Sequence, residues 1–379
     1  MHIHRSSYLE KIENAFKVNP ICGLLGPRQC GKTTLALDYA KTQSERVTHF
    51  DLEDPDHLRA LLEPKLNLAP LTGLVIIDEI QRMPELFPYL RVISDTRKDL
   101  KIMILGSASQ ELIRQSSESL AGRISYIYVT PFQLREFPEA NTLWLRGGLP
   151  KSTLASSDLI SYDWRKDYVK TFLERDIPSF GFSINPQLIR RFWHMLTDYH
   201  GQIFNGAELG RALDLDAKTV RRYLDIFSGT FMTRTLQPWF ANITKRQVKS
   251  PKVFFRDSGL YHFFLGLKTH EELVKSSKIG ASWEGFAMEM AISFHDAEEQ
   301  DCFFWATPSG AEVDLLIAKG NHLKAYEFKY SSSPKLTPSM LSAIQTLGLD
   351  HLTVIIPGNI TYRLHETVTV IGLEKFIRG

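Results

Sequence analysis

An eight-residue stretch near the N-terminus constrains the fold of this chain more than any other feature: Gly26-Pro-Arg-Gln-Cys-Gly31-Lys32-Thr33. It follows a short apolar run, Ile21–Leu25, and precedes a helical pattern that continues from Thr34. A glycine-rich loop between a strand and a helix turns backbone N–H groups and the helix N-terminus toward one point, where they attract phosphate. The pattern Gly-x-x-x-x-Gly-Lys-Thr in this setting therefore predicts a nucleotide-binding P-loop.

The residue types within the loop predict distinct roles. We expect Lys32 to reach the β- and γ-phosphates of ATP and to act in catalysis, and the Thr33 hydroxyl to ligate Mg²⁺. The other positions expected to contact the nucleotide belong to the same loop: Gly26, Pro27, Arg28, Gly31 and Thr34. The alternative, a glycine-rich turn without a ligand, leaves the flanking strand and helix unexplained.

A second acidic element supports the same site. Leu74-Val-Ile-Ile-Asp78-Glu79 is an apolar strand pattern that ends in two carboxylates. We expect Asp78 to hold Mg²⁺ through water, and Glu79 to polarise the attacking water as a general base. An exposed acidic strand end is the competing interpretation, and the four preceding apolar residues disfavour it.

Two further positions are candidates for the same chemistry. Ser107 follows the strand pattern Ile102–Gly106, which we expect to lie beside the P-loop strand. In that position Ser107 would sense the γ-phosphate. The alternative is an ordinary serine at the end of a strand. Arg123 precedes another strand pattern, where ring ATPases place an arginine finger for the neighbouring subunit's nucleotide. The alternative is a surface arginine without a catalytic role.

Several motifs together resemble one known family. They are Gly26-Pro-Arg-Gln-Cys-Gly-Lys-Thr-Thr, Phe50-Asp-Leu-Glu-Asp-Pro, Asp78-Glu-Ile-Gln, Gly106-Ser-Ala-Ser, Leu120-Ala-Gly-Arg, Pro131-Phe-Gln-Leu-Arg-Glu-Phe and Gly147-Gly-Leu-Pro150. This ordered set is similar to prokaryotic AAA-type ATPases with a C-terminal domain of uncharacterised function. The resemblance implies an AAA+ fold, a homo-oligomer that is a hexameric ring, and a position near the adenine for Gly148 and Pro150.

The middle of the chain has the pattern of a winged helix-turn-helix. A first helix is expected at about Gly206–Leu213, a turn at 214–216, and a second helix from Ala217. Basic and hydroxyl residues at the start of a second helix suit a DNA groove or backbone. The residues expected to contact DNA are Lys218, Thr219, Arg221 and Arg222 on this helix, and Lys245 and Arg246 downstream. The alternative is a packing module whose basic residues face only solvent.

A third pattern occupies the C-terminal part, where strand patterns return. Glu284 lies in a helical stretch, Asp314 in a strand pattern, and Glu327 and Lys329 are two residues apart in another strand pattern, which places them on one face. This order resembles the PD-(D/E)XK (restriction-endonuclease-like) nuclease superfamily. That resemblance implies that Asp314 and Glu327 ligate Mg²⁺, Lys329 orients or deprotonates water, and Glu284 assists the metal. A relic of the fold that only binds DNA or protein partners remains the alternative.

Strands alternating with helices over the first third predict a parallel α/β sheet. The predicted domains are an AAA+ P-loop ATPase core (1–140), a helical lid or linker (141–184), a winged helix (185–250) and a nuclease-like α/β domain (251–379). The net charge is only +2 over 379 residues, so any basic surface is local. The three cysteines form no CxxC pair, and no apolar run approaches the roughly 20 residues of a membrane span, so we expect a cytoplasmic protein without a membrane partner.

Three functions stay open at this point. The first is an ATP-driven ring motor that remodels duplex or branched DNA in repair or recombination. The second is a Mg²⁺-dependent DNA nuclease that ATP gates, for instance in defence. The third, which the Gly147–Pro150 element keeps open, is a STAND-like switch in which ATP drives assembly with protein partners and DNA plays no part.

Overall fold

Five short segments of the first 131 residues form one parallel sheet in the computed structural model of the chain. The model describes residues 2–107, 118–179, 182, 184–240, 250–308 and 310–379. Contacts divide the chain into two units, one comprising 1–131 with 229–231, the other comprising 132–228 with 232–379.

The sheet of the first unit has the strand order β2-β3-β4-β1-β5. The strands are β1 (Ile21–Gly26), β2 (Val47–Asp51), β3 (Gly73–Asp78), β4 (Leu100–Ser107) and β5 (Ile124–Tyr128). Every residue of β1 and β3 is buried, as expected of strands covered on both faces. All four pairings are parallel, and β4 lies beside β1 as the sequence predicted, with Ser107 in register with Gly26.

Helices of the first unit follow or precede these strands. They are α1 (Ser6–Val18), α2 (Lys32–Ala40), α3 (Pro55–Ala60), α4 (Pro64–Asn67) and α5 (Leu86–Thr96). Helix α2 begins directly after Gly31, whose φ of 96° is the left-handed conformation that favours glycine. Strand β1, the loop and α2 therefore form the strand–loop–helix unit that the sequence predicted.

The second unit opens with a helical region. Its helices before the next strands are α6 (Ala140–Arg146), α7 (Pro150–Thr153), α8 (Asp158–Thr171), which continues into a π-helical turn at Phe172–Asp176, α9 (Ile177–Ser179) and α10 (Pro186–Met195). Two more helices follow, α11 (Gly206–Leu213) and α12 (Ala217–Gly229), and their bounds confirm the predicted helix positions. Asp214, with φ 55°, forms the left-handed end of α11, and the Asp216 side chain accepts hydrogen bonds from the backbone N–H groups of Lys218 and Thr219.

Nine strands in the described part of the second unit join in the order β13-β14-β12-β11-β10-β9-β7-β8-β6. They are β6 (Gln202–Ile203), β7 (Thr233–Pro238), β8 (Lys252–Phe255), β9 (Cys302–Ala306), β10 (Glu312–Lys319), β11 (His322–Phe328), β12 (Leu352–Ile356), β13 (Thr361–His365) and β14 (Val368–Gly372). The remaining helices are α13 (Ser258–Phe264), α14 (His270–Lys275), α15 (Ile279–Phe294), α16 (Pro338–Leu347) and α17 (Leu373–Arg378).

The division into four domains at 140, 184 and 250 differs from this arrangement. Strand β8, assigned by the sequence to the last domain, pairs with β6 and β7 of the middle segment. Strand β7 in turn pairs with β9 through Gln237 and Phe303, so one sheet crosses the predicted boundary at 250. Backbone pairing between distant segments unites 132–228 and 232–379, and sequence patterns do not reveal such pairing.

Within the described residues, every helix is too short or too polar to cross a lipid bilayer.

Candidate functional sites

The P-loop brings its predicted residues together in the first unit. Lys32 is buried, and its ammonium donates hydrogen bonds to the carbonyl oxygens of Gly26 (3.1 Å) and Pro27 (2.9 Å). These bonds close the loop on itself and satisfy a buried charge that would otherwise be costly. In this arrangement the loop backbone holds the ammonium in place.

Gly26 has no room for a side chain. A Cβ atom at this position would overlap the carbonyl oxygen of Val129 and press on the Cys30 sulfur. The first glycine of the motif is therefore required by close backbone packing within the first unit. Arg28 is tied outward by a 2.7 Å ion pair with Glu53, whereas Thr34 is exposed in the first turn of α2.

Thr33 and Asp78 meet at the ends of α2 and β3. The Thr33 hydroxyl donates a 2.5 Å hydrogen bond to Oδ2 of Asp78, and the other oxygen, Oδ1, accepts the backbone N–H of Glu79 at 2.8 Å. A hydroxyl and a carboxylate are the hard oxygen ligands that Mg²⁺ prefers, so the two side chains fit the predicted ion. Their pairing here marks the place that the ion would take.

Glu79 is held in a constrained position beside this pair. Its backbone has a φ of 55°, which is uncommon for a residue other than glycine, and its carboxylate accepts a hydrogen bond from the Gln81 side chain. Burial raises the pKa of Glu79, while the charges of Lys32 and Arg28 oppose that rise. A carboxyl group with a raised pKa is better suited to accept a proton from water, as the predicted general base must. Sequence reasoning missed Gln81, although it stands two residues after the acidic pair.

The two remaining predicted residues of the first unit have different surroundings. The backbone of Ser107 lies in register with Gly26 at the end of β4. Arg123 makes a two-pronged ion pair with Asp95, at 2.6 Å and 2.9 Å, and is partly exposed. Sequence reasoning missed Asp95, which lies 28 positions away in α5. The proposed transfer of Arg123 to another subunit's nucleotide requires that this pair opens.

The C-terminal constellation gathers at one end of the β10–β11 hairpin. The Lys329 ammonium lies 2.7 Å from Glu327 and 3.5 Å from Asp314, and the same Asp314 oxygen accepts the backbone N–H of Phe328 at 2.9 Å. Glu327 and Lys329 thus share a face, as their spacing predicted. Glu284, on α15, lies nearby with its side chain 19% exposed, and the Asp314 charge acts on it.

The carboxyl groups of this cluster lie close together, and their charges act on the pKa values of Glu284, Glu327 and Lys329. Burial, followed by the charge of Asp314, raises the pKa of both Glu284 and Glu327. Burial also disfavours the charged form of Lys329, but the charges of Asp314 and Glu327 outweigh it and raise the pKa of this lysine. Such a cluster attracts a cation strongly, because added positive charge relieves the repulsion.

A second lysine belongs to the cluster and was missed as a site residue. Lys252 on β8 has a side chain only 5% exposed, and it forms an ion pair with Glu312 and lies 3.9 Å from Oε1 of Glu284. From the sequence, Lys252 is one of a downstream basic cluster with Lys245 and Arg246, yet a lysine at the start of the apolar strand Lys252–Phe255 needs a counter-charge.

No group of three or more His, Cys, Asp or Glu side chains in the described ranges forms a metal centre by itself. The predicted metal ligands are pairs: Thr33 with Asp78 in the first unit, and Asp314 with Glu327 in the second. Each pair would leave most coordination positions to water and substrate oxygens, the usual arrangement for Mg²⁺.

The predicted DNA contacts divide into two groups. Lys218, Arg221 and Arg222 are exposed on α12, where Arg221 pairs with Asp225 at 3.2 Å. The Thr219 hydroxyl donates to the side chain of Asp216, the residue that caps the helix. Lys245 and Arg246 lie outside the described residues. Pro150 begins α7 in the second unit, and its predicted place near the adenine stays a prediction.

Gly147 and Gly148 have a clear packing role. Gly147 has a φ of 78° and abuts the Asp257 carboxylate, which accepts the backbone N–H of Gly148 at 2.9 Å and that of Leu260 at 2.9 Å. The glycines therefore allow a buried carboxylate to join the end of α6 to the start of α13.

Three family descriptions match successive parts of the chain. Residues 18–138 match an AAA domain, residues 138–271 match a domain of unknown function (DUF8612), and residues 279–376 match another (DUF4143). The first match shows that the chain carries an AAA-type, P-loop ATPase domain, as the sequence predicted. It agrees with the assembled loop, Asp78 and Glu79 in the first unit.

Among the solved structures that are similar to parts of the chain are two ATPases. The Walker-type ATPase PABY2304 of Pyrococcus abyssi is 14% identical, with 70% of this chain and 96% of that chain covered and a TM-score of 0.46. The RuvB Holliday junction branch migration motor of Thermotoga maritima is 15% identical, with 62% and 90% covered and a TM-score of 0.31. Likenesses at these scores carry no argument about this chain.

Two curated proteins match along the entire chain. They are the uncharacterised protein Mb2031c of Mycobacterium bovis and the uncharacterised protein Rv2008c of Mycobacterium tuberculosis, and each is 41% identical over 380 residues, covering 100% of this chain and 85% of the relative. This chain therefore belongs to the same family as these two mycobacterial proteins, and within that family it is a P-loop ATPase with an AAA domain.

Proposed function

We propose that this chain uses Mg²⁺-dependent ATP hydrolysis to remodel duplex or branched DNA, and that it does so as an oligomeric ring. ATP hydrolysis rests on the AAA domain and on the assembled P-loop residues. The choice of DNA rests on the second unit.

The ATP step assigns one task to each residue of the first unit. Lys32 would exchange the carbonyl oxygens of Gly26 and Pro27 for phosphate oxygens. Thr33 and Asp78 would hold Mg²⁺, which supplies positive charge to the phosphates. Glu79, with its raised pKa, would accept a proton from the attacking water.

The observation that carries the choice of DNA is the cluster of Asp314, Glu327, Lys329 and Glu284. Carboxylates on neighbouring strands with a lysine 2.7 Å and 3.5 Å away provide cation ligands and a charged donor at one point. A phosphodiester with its accompanying Mg²⁺ presents the complementary charges. A nucleic acid is therefore the substrate class that this cluster fits best.

The helix pair α11–α12 supports the same substrate. Helix α12 exposes Lys218, Arg221 and Arg222 along its first two turns, and its N-terminus is fixed by Asp216. Exposed cations on a rigid helix neutralise DNA phosphates and release counterions, which makes the binding dependent on salt. This helix is the proposed duplex-binding element of the winged-helix segment.

Binding of a labelled duplex by the full chain tests this assignment. Reversing two charges in Lys218→Glu/Arg221→Glu should weaken duplex binding roughly a hundredfold at low salt and flatten its salt dependence. The control Lys375→Glu reverses an exposed charge on α17 and should bind as the wild type does. Duplex affinity that neither variant alters would contradict a role for α12.

A Mg²⁺-dependent nuclease that ATP gates is the second candidate, and the Lys329 ammonium 2.7 Å from Glu327 and 3.5 Å from Asp314 favours it. In that case Asp314→Ala should abolish cleavage of supercoiled and linear DNA, and Lys32→Ala should leave the active site able to cut. A wild-type chain that leaves DNA intact with ATP and Mg²⁺ would eliminate this candidate and leave the cluster as a DNA-holding site.

The ring assembly and the switch-like alternative are separated by one further experiment. Light scattering after gel filtration, with a non-hydrolysable ATP analogue and with or without DNA, measures the oligomer. A ring that forms on nucleotide and turns over ATP faster with DNA agrees with the motor. Nucleotide-driven assembly with very slow turnover that DNA does not change would instead indicate a STAND-like switch.

A further inference from the structure

A cleft of about 510 Å³ in the second unit, away from the carboxylate cluster, has an unusual lining. One wall is helix α10, which presents Gln187, Arg190, Arg191 and His194. These positions recur at intervals of three and four residues and therefore form one stripe of the helix. The opposite stripe contains Ile189, Phe192 and Trp193, which are fully buried.

The floor and the second wall of the cleft are aromatic. Phe263 and Phe264 of α13 and Tyr162 of α8 line it, and the Tyr162 and Phe263 rings lie 5.3 Å apart. The Lys268 ammonium lies 5.4 Å from the centre of the Tyr162 ring and adds a cation to this side. The lining of the cleft thus combines aromatic rings with arginine side chains, and a lysine lies beside it.

The cations of this cleft lack acidic partners. In the part of the chain that the structure describes, no carboxylate lies within ion-pair distance of Arg190, Arg191 or Lys268. Arg191 is oriented instead by a 3.0 Å hydrogen bond from its guanidinium to the carbonyl oxygen of Ala212, on α11. Arg190 and Arg191 line the cleft, and Lys268 lies beside its Tyr162 ring. Their positive charges give this part of the second unit a local potential that attracts an anion.

We propose that this cleft binds a nucleotide of an unpaired DNA strand, with its phosphates at Arg190, Arg191 and Lys268 and its base against the aromatic floor. Cationic edges beside aromatic rings are the combination by which proteins hold single strands. A volume of about 510 Å³ is enough for one or two nucleotides. The inference rests on the proposed action on DNA and assigns the unpaired strand to this cleft.

The position of the cleft fits the assignment of duplex binding to the helix pair α11–α12 and of single-strand binding to the cleft. Through Arg191 and Ala212, α10 is joined to α11 of the helix pair to which we assign duplex binding. A chain that remodels branched DNA handles paired and unpaired segments close together. The cleft beside the helix pair would receive a strand released from that duplex.

Fluorescence anisotropy of the full chain with a labelled single-stranded oligonucleotide and with the matching duplex tests the proposal. Arg190→Glu should weaken single-strand binding roughly tenfold and leave duplex binding within about twofold, because one attraction becomes a repulsion at the cleft alone. Lys375→Glu, the matched charge reversal, should change neither. Circular dichroism melting of each variant checks that it is folded.

A competition experiment distinguishes binding of a DNA strand from binding of a free nucleotide, which carries the same phosphate and base. Excess dAMP should not displace the oligonucleotide, since a strand engages several phosphates at once. If dAMP displaces the oligonucleotide from the wild-type chain, and Arg190→Glu abolishes that displacement, the cleft binds a small nucleotide and the proposal of a DNA strand is wrong. Equal loss of single-strand and duplex binding in Arg190→Glu, or no loss in either, would also overturn the proposal.

The failure of this inference is distinguishable from failure of the proposed function. A wild-type chain that binds neither single strands nor duplex refutes the action on DNA as a whole. A wild-type chain that binds both, with Arg190→Glu indistinguishable from it, refutes only the cleft.

Discussion

The Thr33 hydroxyl donates a 2.5 Å hydrogen bond to Oδ2 of Asp78, and this contact joins the P-loop helix to the end of the acidic strand. The two residues are 45 positions apart, and they meet because parallel strands β1 and β3 end at the same edge of one sheet. The edge at the carboxyl ends of parallel strands is where such sheets bind ligands. Nucleotide chemistry at this edge therefore follows from the sheet order.

Replacing Lys32 tests the nucleotide site. Lys32→Ala removes the ammonium that closes the loop, so we expect ATP hydrolysis to fall by roughly a hundredfold or more. The measurement is phosphate release by the full chain with Mg²⁺. Lys41→Ala, an exposed lysine just beyond α2, is the control and should keep the wild-type rate. Equal rates in all three proteins would refute the assignment of the loop.

Gly26→Ala tests the packing argument for the first glycine. The added Cβ would overlap the Val129 carbonyl oxygen, so the loop must shift and ATP binding should be lost. Gly280→Ala in α15 is the matched change, because its Cβ meets nothing and alanine favours a helix by roughly 0.5–1 kcal/mol. Binding of a fluorescent ATP analogue distinguishes them, and unchanged binding by Gly26→Ala would contradict the packing argument.

Arg123 and Asp95 can be tested as a pair. If Arg123 acts on a neighbouring subunit's nucleotide, Arg123→Ala should lower ATP turnover at least about tenfold while ATP binding stays intact. Asp95→Asn loosens the two-pronged ion pair and should leave turnover unchanged or raise it. Parallel losses in both variants would mean that Arg123 serves only the local pair.

The buried pair Arg234 and Glu289 should dominate the stability of the second unit. The Arg234 guanidinium meets Glu289 at 2.5 Å and 2.9 Å, and both side chains are buried. Glu289→Ala leaves an uncompensated cation and should lower the free energy of unfolding by roughly 3–5 kcal/mol. All six tryptophans lie in the second unit, so urea unfolding followed by tryptophan fluorescence reports on it. If the double variant Arg234→Met/Glu289→Leu loses less unfolding free energy than Glu289→Ala does, the uncompensated cation is confirmed as the cause. A greater loss in the double variant would contradict it.

Two buried histidines should make the second unit sensitive to acid. Burial lowers the pKa of both His200 and His262 to about 3, and Nδ1 of His200 accepts the Phe255 N–H, as a neutral ring can. The unfolded chain binds these protons at its ordinary pKa of 6.5, so stability is complete above that value and falls as the pH drops toward 3. Each histidine should contribute a slope of about 1.4 kcal/mol per pH unit in this window.

The contribution of His200 can be tested by measuring how the free energy of unfolding changes with pH. His200→Gln is expected to lower stability at neutral pH and also to remove about half of the two-histidine slope below pH 6. Urea midpoints measured from pH 7 to pH 4 by tryptophan fluorescence provide it. A variant with the same slope as the wild type would show that His200 already binds its proton in the folded state.

Local patterns predicted the parts of this fold that local residues determine. The strand–loop–helix around Gly26–Thr33, the acidic strand end at Asp78, and helices α11 and α12 all follow from runs of neighbouring residues. The pairing of Glu327 with Lys329 follows from the two-residue period of a strand. The AAA domain was recognisable from these motifs alone.

Contacts between residues far apart in the chain could not be predicted from the sequence. Lys252 reaches Glu312 across 60 positions, and Arg123 reaches Asp95 across 28, and neither partner carries a local signal. The same holds for the contact of β7 with β9, which merges the predicted middle and C-terminal domains into one unit. Such contacts depend on the order of strands in the sheet, which many sequences with similar local patterns do not share.

ATP turnover of the full chain, measured with no DNA, single-stranded DNA, duplex and a four-way junction, tests the central proposal most directly. We expect the junction or the duplex to raise the rate several-fold over the DNA-free rate, and Lys32→Ala to show no turnover under any of these conditions. A rate that none of the three DNA structures changes, from a chain that retains none of them on a native gel, would contradict the account.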